Sequence, residues 1–129
     1  MRMRHLILIC GLACQATLAA AEGAVQVLSC TATTTCDAQG SCTAASDEVT
    51  FTLTPVQVDA DGAGQFTIAY GDVTAEMGSL SLTGPFVWAE EETDTQSLMV
   101  SGPASLVWVR QDRSAPDATT LFLTCKDPA

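Results

Sequence analysis

The sequence predicts an all-β domain: a small antiparallel barrel or sandwich of about eight short strands with two disulfides. Three observations carry this expectation. Apolar residues alternate with threonine, serine and other polar residues over short runs, the period-2 pattern of a half-buried strand. Glycine, proline and aspartate recur between the runs, and the links are too short for crossovers, so neighbouring strands run antiparallel. No segment sustains a helical period.

Residues 1–21 read as a secretory signal, and the remainder, 22–129, as one β domain. Arg2, Arg4 and His5 form a basic front, an apolar run follows, and Ala19-Ala20-Ala21 supplies a small-residue cleavage site. The rival reading is a lipoprotein, because Cys14 follows Gly11-Leu12-Ala13; Gly11 stands where a lipid-attachment box has a branched apolar residue. The apolar run is well below the roughly 20 residues that span a bilayer. Export to the periplasm or cell exterior is therefore expected.

A first strand begins near Val25. Residues 48–54 alternate, with Val49, Phe51 and Leu53 toward a core and threonines toward water. Pro55 lacks a ladder donor, so the strand bends or ends there before Val56 and Val58 resume it. Asp59-Ala60-Asp61-Gly62-Ala63-Gly64 reads as a hairpin turn. Residues 65–70 place Phe66, Ile68 and Tyr70 on one face. Residues 73–78 are ambiguous, because Ala75-Glu76-Met77 suits a helical turn. Residues 79–83 read as a strand with Leu80 and Leu82 together, and Gly84-Pro85 breaks the chain before Phe86-Val87-Trp88. Residues 96–101 form a strand with Leu98 and Val100 together, and Gly102-Pro103 a turn. Leu106, Trp108 and Arg110 share a face of the next strand, and Arg110 is read as its end, with an inward position beside an acidic partner as the alternative. Residues 111–118 read as a loop, and 119–125 as the last strand, with Leu121, Leu123 and Cys125 together.

Cys30, Cys36, Cys42 and Cys125 remain after the signal is removed, and an exported domain of this size with four cysteines reads as a two-disulfide scaffold. Four cysteines allow three pairings. Cys36 with Cys42 and Cys30 with Cys125 is favoured, because Asp37-Ala38-Gln39-Gly40-Ser41 is turn-forming and brings Cys36 opposite Cys42. Zinc is disfavoured, because the spacing is wrong for paired ligands and the only histidine, His5, leaves with the signal.

Charge and composition exclude much. The chain has 15 acidic residues and a formal net charge of −10. The domain keeps only Arg110, Arg113 and Lys126 as cations. Such a molecule repels nucleic acid and anionic membrane surfaces, no segment spans a membrane, and a cationic protein or a small ligand is the expected partner. Without histidine the usual serine and cysteine catalytic devices are missing, so no catalytic residue, cofactor or metal is assigned.

The residue groups that admit chemistry have plainer readings. Glu90, Glu91, Glu92 and Asp94 offer paired carboxylates of the kind glycoside hydrolysis uses, but four acids in one stretch read as a solvated loop and a partner-binding patch. Asp59, Asp61 and Gly62 resemble the start of a calcium loop, yet Ala63 and Tyr70 occupy later ligand positions, so a hairpin is expected. Tyr70, Trp88 and Trp108 read as core, with a small apolar cavity as the alternative.

The chain loosely resembles the bacterial inhibitors of C-type lysozyme in its β-strand layout, its cysteines near both ends and Ser101-Gly102-Pro103-Ala104-Ser105. That family carries Ser-Gly, two variable residues and tyrosine; here Ser105 stands in the tyrosine's place. The resemblance implies an exported barrel that binds a basic lysozyme through Ser101 and Gly102. The function expected from the residues is an exported, non-enzymatic interaction module. A lysozyme-type hydrolase inhibitor and a small-ligand carrier with a barrel cavity are the alternatives.

Overall fold

The computed structural model describes residues 24–126; the expected signal, with Cys14, lies outside the described residues. Nine strands and no helix are present among them: β1 (Gln26–Cys36), β2 (Cys42–Ala44), β3 (Glu48–Val58), β4 (Gly64–Tyr70), β5 (Val73–Ser79), β6 (Phe86–Ala89), β7 (Asp94–Gly102), β8 (Ser105–Asp112) and β9 (Asp117–Lys126). From β3 to β9 each strand pairs antiparallel with the next, and β9 returns to pair with β1. One sheet therefore closes on itself, so the fold is a barrel rather than a sandwich, and closure removes the free edges that an open sheet exposes.

The extra strand β2 lies in line with β3 along the same side of β1. Thr34 faces Ala44 and Thr31 faces Glu48. Across the break between them, Ala45 N donates to Thr33 O at 3.0 Å and Ala32 N donates to Asp47 O at 2.8 Å. β2 and β3 thus act as one interrupted strand, and the barrel has eight staves.

A barrel of this size has room inside for side chains. Phe51, Leu53, Ile68, Met77, Leu98 and Leu123 are almost wholly buried there, with Phe66, Tyr70, Phe86, Trp88 and Trp108. The aromatic rings meet in edge and stacked contacts: Phe51 lies 5.3 Å from Tyr70 and 5.2 Å from Trp108, and Trp88 stacks on Trp108 at 6.4 Å. The core reading of Tyr70, Trp88 and Trp108 holds. Both disulfides are the favoured pairs, Cys30–Cys125 and Cys36–Cys42. The first joins opposed residues across the β1–β9 seam, and the second joins opposed residues of β1 and β2.

Besides a register shift between Val100 and Gly102 near the end of β7, two bulges adjust earlier staves. One falls between Pro55 and Gln57, so the bend expected at Pro55 is present and Val56 turns outward. The other falls between Ala32 and Thr34 in β1. It shifts the alternation, so that Cys30 and Ala32 join the core while Cys36, further along, lies outside the core cluster.

Four segment readings need correction. Residues 73–78 are strand, not helical turn, because β5 sets Met77, Ala75 and Val73 opposite Phe66, Ile68 and Tyr70 and burial outweighs the helix preference of Ala-Glu-Met. Residues 80–83 are loop, not strand, and only Ser79 of the expected 79–83 strand is in the sheet, as the last residue of β5. Leu80 and Leu82 are 74% and 66% exposed, and serine hydroxyls hold the loop, Ser79 Oγ donating to Ser81 O at 2.7 Å and Ser81 Oγ to Gly84 O at 2.6 Å. Leu82 N also donates to Asp61 O at 3.1 Å. That contact seats the loop on the β3–β4 hairpin so closely that a Cβ on Gly62, at φ +82°, would strike the Leu82 backbone. Finally, Arg110 does not end its strand, and 111–118 is not all loop, since β8 runs on to Asp112 and β9 begins at Asp117.

Candidate functional site

The antiparallel meander sorts the connections between two barrel ends. Segments 37–41, 71–72, 90–93 and 113–116 lie at one end, the mouth, and 59–63, 80–85 and 103–104 lie at the other. The two residue groups expected to bind partners are therefore separated. Glu90, Glu91, Glu92 and Asp94 are at the mouth, and Ser101 and Gly102 are at the opposite end.

On the inner face of β7, β8 and β9 the register stacks residues in three layers. Leu98, Trp108 and Leu121 face one another in the deepest. Gln96, Arg110 and Thr119 form the next. Asp94, Asp112 and Asp117 form the outermost, at the lip. Hydrophobic core thus passes to polar groups and then to carboxylates within three steps. The upper two layers and Leu121 line an open recess of about 270 Å³.

Gln96 is only 2% exposed. Trp108 Nε1 donates to its Oε1 at 2.9 Å. An indole N–H can only donate, so this bond fixes the amide's orientation and turns Nε2 away from the ring. Nε2 has no protein acceptor among the described residues, and it belongs to a side chain that lines the recess. The other indole is satisfied within the core, Trp88 Nε1 donating to Tyr70 Oη at 3.2 Å.

Arg110 lies over the Trp108 ring, its guanidinium carbon 4.7 Å from the centroid, a cation–π contact. Its Nη2 is 3.4 Å from Glu90 Oε2. The acidic partner of the alternative reading is thus found, but the Arg110 side chain is 44% exposed and sits at the mouth, not inside the barrel. Glu90 departs from the solvated-loop expectation: its side chain is 13% exposed, and its Oε1 is buried without a hydrogen-bond partner among the described residues. Glu91 and Glu92 are exposed as expected. Arg113 holds the same loop by donating from Nη2 to the Glu92 carbonyl.

Some of the acids have structural work. Asp37 Oδ1 accepts from Gln39 N and Ser41 N at 3.0 and 2.9 Å, closing the turn between Cys36 and Cys42. Asp59 Oδ1 does the same for Asp61 N and Ala63 N at 2.9 and 3.1 Å, so the calcium-like stretch is a hairpin turn. Asp112 Oδ1 accepts from Ser114 Oγ at 2.6 Å and from Ser114 N at 2.9 Å; these bonds hold its carboxyl below its ordinary pKa. Asp94, by contrast, makes no side-chain hydrogen bond or ion pair with the described residues. No group of three Asp, Glu, His or Cys side chains among them is arranged to hold a metal ion.

At the opposite end, Ser101 is exposed and sits at a register shift between Val100 and Gly102. Gly102 faces Ser105 across the β7–β8 turn and borders a smaller recess of about 120 Å³, lined mostly by apolar groups including Leu82, Phe86, Leu98 and Leu106. Sequence reasoning missed Gln96, Asp112, Asp117 and Thr119. The available signal was the inward parity of Trp108 and Leu121, which continues to Asp112 and Asp117 if the strands are extended.

Fold and site together define a small disulfide-stapled antiparallel barrel with an acidic mouth. Comparison of the chain with known protein families, characterised proteins and solved structures finds no match. Among the described residues no helix is long and apolar enough to cross a membrane.

Proposed function

We propose that this is an exported, non-enzymatic interaction module of the periplasm or cell exterior that binds a cationic protein through the mouth of its barrel. The observation that carries this reading is the charge placement. Asp37, Asp72, Glu90, Glu91, Glu92, Asp94, Asp112 and Asp117 all lie on the mouth's loops and strand ends, with Arg110 and Arg113 as the cations there. A concentrated field of one sign speeds encounter with a partner of the other and fixes its orientation. Two disulfides in a small barrel fit an oxidising compartment. The filled aromatic interior supports surface recognition over carriage of a ligand within the barrel.

The lysozyme-inhibitor reading uses the other end of the molecule, where Ser101 is exposed at the register shift in β7. Calorimetric titration with a C-type lysozyme at low and physiological salt, repeated with a Glu91→Gln/Glu92→Gln/Asp72→Asn variant and a Ser101→Ala variant, tests both. Salt-sensitive binding that the amide variant weakens supports the mouth, and loss confined to Ser101→Ala supports the inhibitor loop. Absence of binding to lysozyme and to an arginine-rich peptide at low salt would overturn the proposed function.

A further inference from the structure

We propose that the barrel end opposite the mouth docks on the surface of a phospholipid bilayer, with the loop 80–85 as its foot, whatever the mouth itself binds. The exposed large apolar side chains are sorted to that end. Leu80 and Leu82 stand on the loop, and Val25, Val27, Val56, Val87 and Val100 lie close to the strand ends around it; Phe122, partway along β9, is the exception. Beside the leucines opens the apolar recess bordered by Leu82, Phe86, Leu98 and Leu106. Single apolar residues scattered over a surface need no explanation, but a group gathered at one pole marks a contact.

The loop can also leave water without stranding most of its polar groups. Leu82 N donates to Asp61 O, Gly84 N to Ser81 O and Thr83 N to Ser81 Oγ, while Thr83 O accepts from Val100 N. Ser79 Oγ and Ser81 Oγ donate to Ser81 O and Gly84 O. Moving a polar group into an apolar medium is unfavourable unless its hydrogen bond is already made, and here these bonds are made within the protein. A protein partner would offer donors and acceptors that this loop has few groups left to meet. The acyl region of a bilayer offers none, so lipid is the better match.

Chain direction and charge agree with this. β1 starts at this pole, and Gln26, its first residue, borders the recess, so the chain before it approaches here. Residues 14–23 span at most about 35 Å when extended, so the apolar run of the expected leader, while held in a membrane, keeps this pole next to the lipid. The loop 80–85 carries no charge, and the acids of the mouth lie at the far pole. Asp59 and Asp61 adjoin the loop, and the whole chain has a formal net charge of −10, so zwitterionic headgroups suit the pole better than anionic ones. Docked this way, the barrel presents its acidic mouth away from the membrane.

Co-sedimentation with phosphatidylcholine vesicles at millimolar lipid tests the proposal. The domain 22–129 is used, so that the leader itself carries nothing into the pellet; its core and both disulfides lie within the described strands. It should partition weakly, to the same extent at low and physiological salt, and less onto vesicles containing phosphatidylglycerol. Leu80→Ser/Leu82→Ser should lower the partition coefficient about tenfold or more, and Phe122→Ser, an exposed apolar residue away from the pole, should leave it unchanged. Should the double variant fail to fold, Leu80→Ser alone, at the more exposed leucine, makes the same comparison. No partitioning, an equal loss in Phe122→Ser, or binding that requires anionic lipid overturns the proposal. Sedimentation velocity without lipid tests the other occupant: self-association that the leucine variant abolishes, with no lipid binding, assigns the pole to a second copy of the chain and overturns the bilayer reading.

Discussion

Gln96 shows how one side chain serves both core and surface. Its oxygen satisfies the Trp108 indole inside the barrel, and the residue also lines the recess. Gln96→Leu should therefore cost about 1–3 kcal/mol in urea unfolding, because it strands a buried N–H. Adding Trp108→Phe removes that donor and should recover part of the loss; strict additivity of the two changes would show that the bond is not coupled. Asp112 gives a pH signature. Its folded carboxyl has a depressed pKa, so its contribution is complete above about pH 4 and disappears as pH falls through the depressed value. The difference in melting midpoint between the protein and Asp112→Ala should be constant from pH 7 to about pH 5 and shrink at lower pH. A gap unchanged down to pH 2 would refute this account.

At the scale of elements, β5 is the instructive stave. Met77 is 1% exposed opposite Phe66, so Met77→Ala should cost about 2–5 kcal/mol, whereas truncating an exposed residue of a surface turn would cost far less. Thermal melts compare them directly. This stave was hard to read because Ala-Glu-Met favours helix locally, and only the pairing with β4 decides the matter. Leu80 and Leu82 misled in the opposite sense, since alternation alone does not reveal that both leucines face water. Clean alternation at Val49-Phe51-Leu53, Phe66-Ile68-Tyr70 and Leu121-Leu123-Cys125 made those staves legible, as did the turn chemistry around Asp37 and Asp59. The acidic part of the mouth was visible at Glu90 to Asp94. Its partners Asp112 and Asp117 were not, because a row across three strands exists only once register is known. Gln96 was unreadable for the same reason: nothing in its neighbourhood along the chain announces Trp108.

For the whole molecule, the two disulfides act on different scales. Cys30 and Cys125 are 95 residues apart and Cys36 and Cys42 are 6 apart. On the chain-entropy account, Cys30→Ala/Cys125→Ala should lower stability by about 4–5 kcal/mol and Cys36→Ala/Cys42→Ala by about 2. Urea midpoints for the two double variants should fall in that order; the reverse order would mean that the seam is held by its backbone ladder alone. The barrel end without the acidic row can then be altered with little effect on the charged face, because the layered core separates the two.

The bond across the β1–β9 seam also turns the polypeptide between Cys30 and Cys125 into a covalent ring. A single proteolytic nick in any connecting loop opens that ring without splitting the particle in two. Both fragments stay tethered, and every other rung of the sheet remains in place. A first cut by a peptidase is then survivable damage, visible only when reductant frees the pieces on a gel.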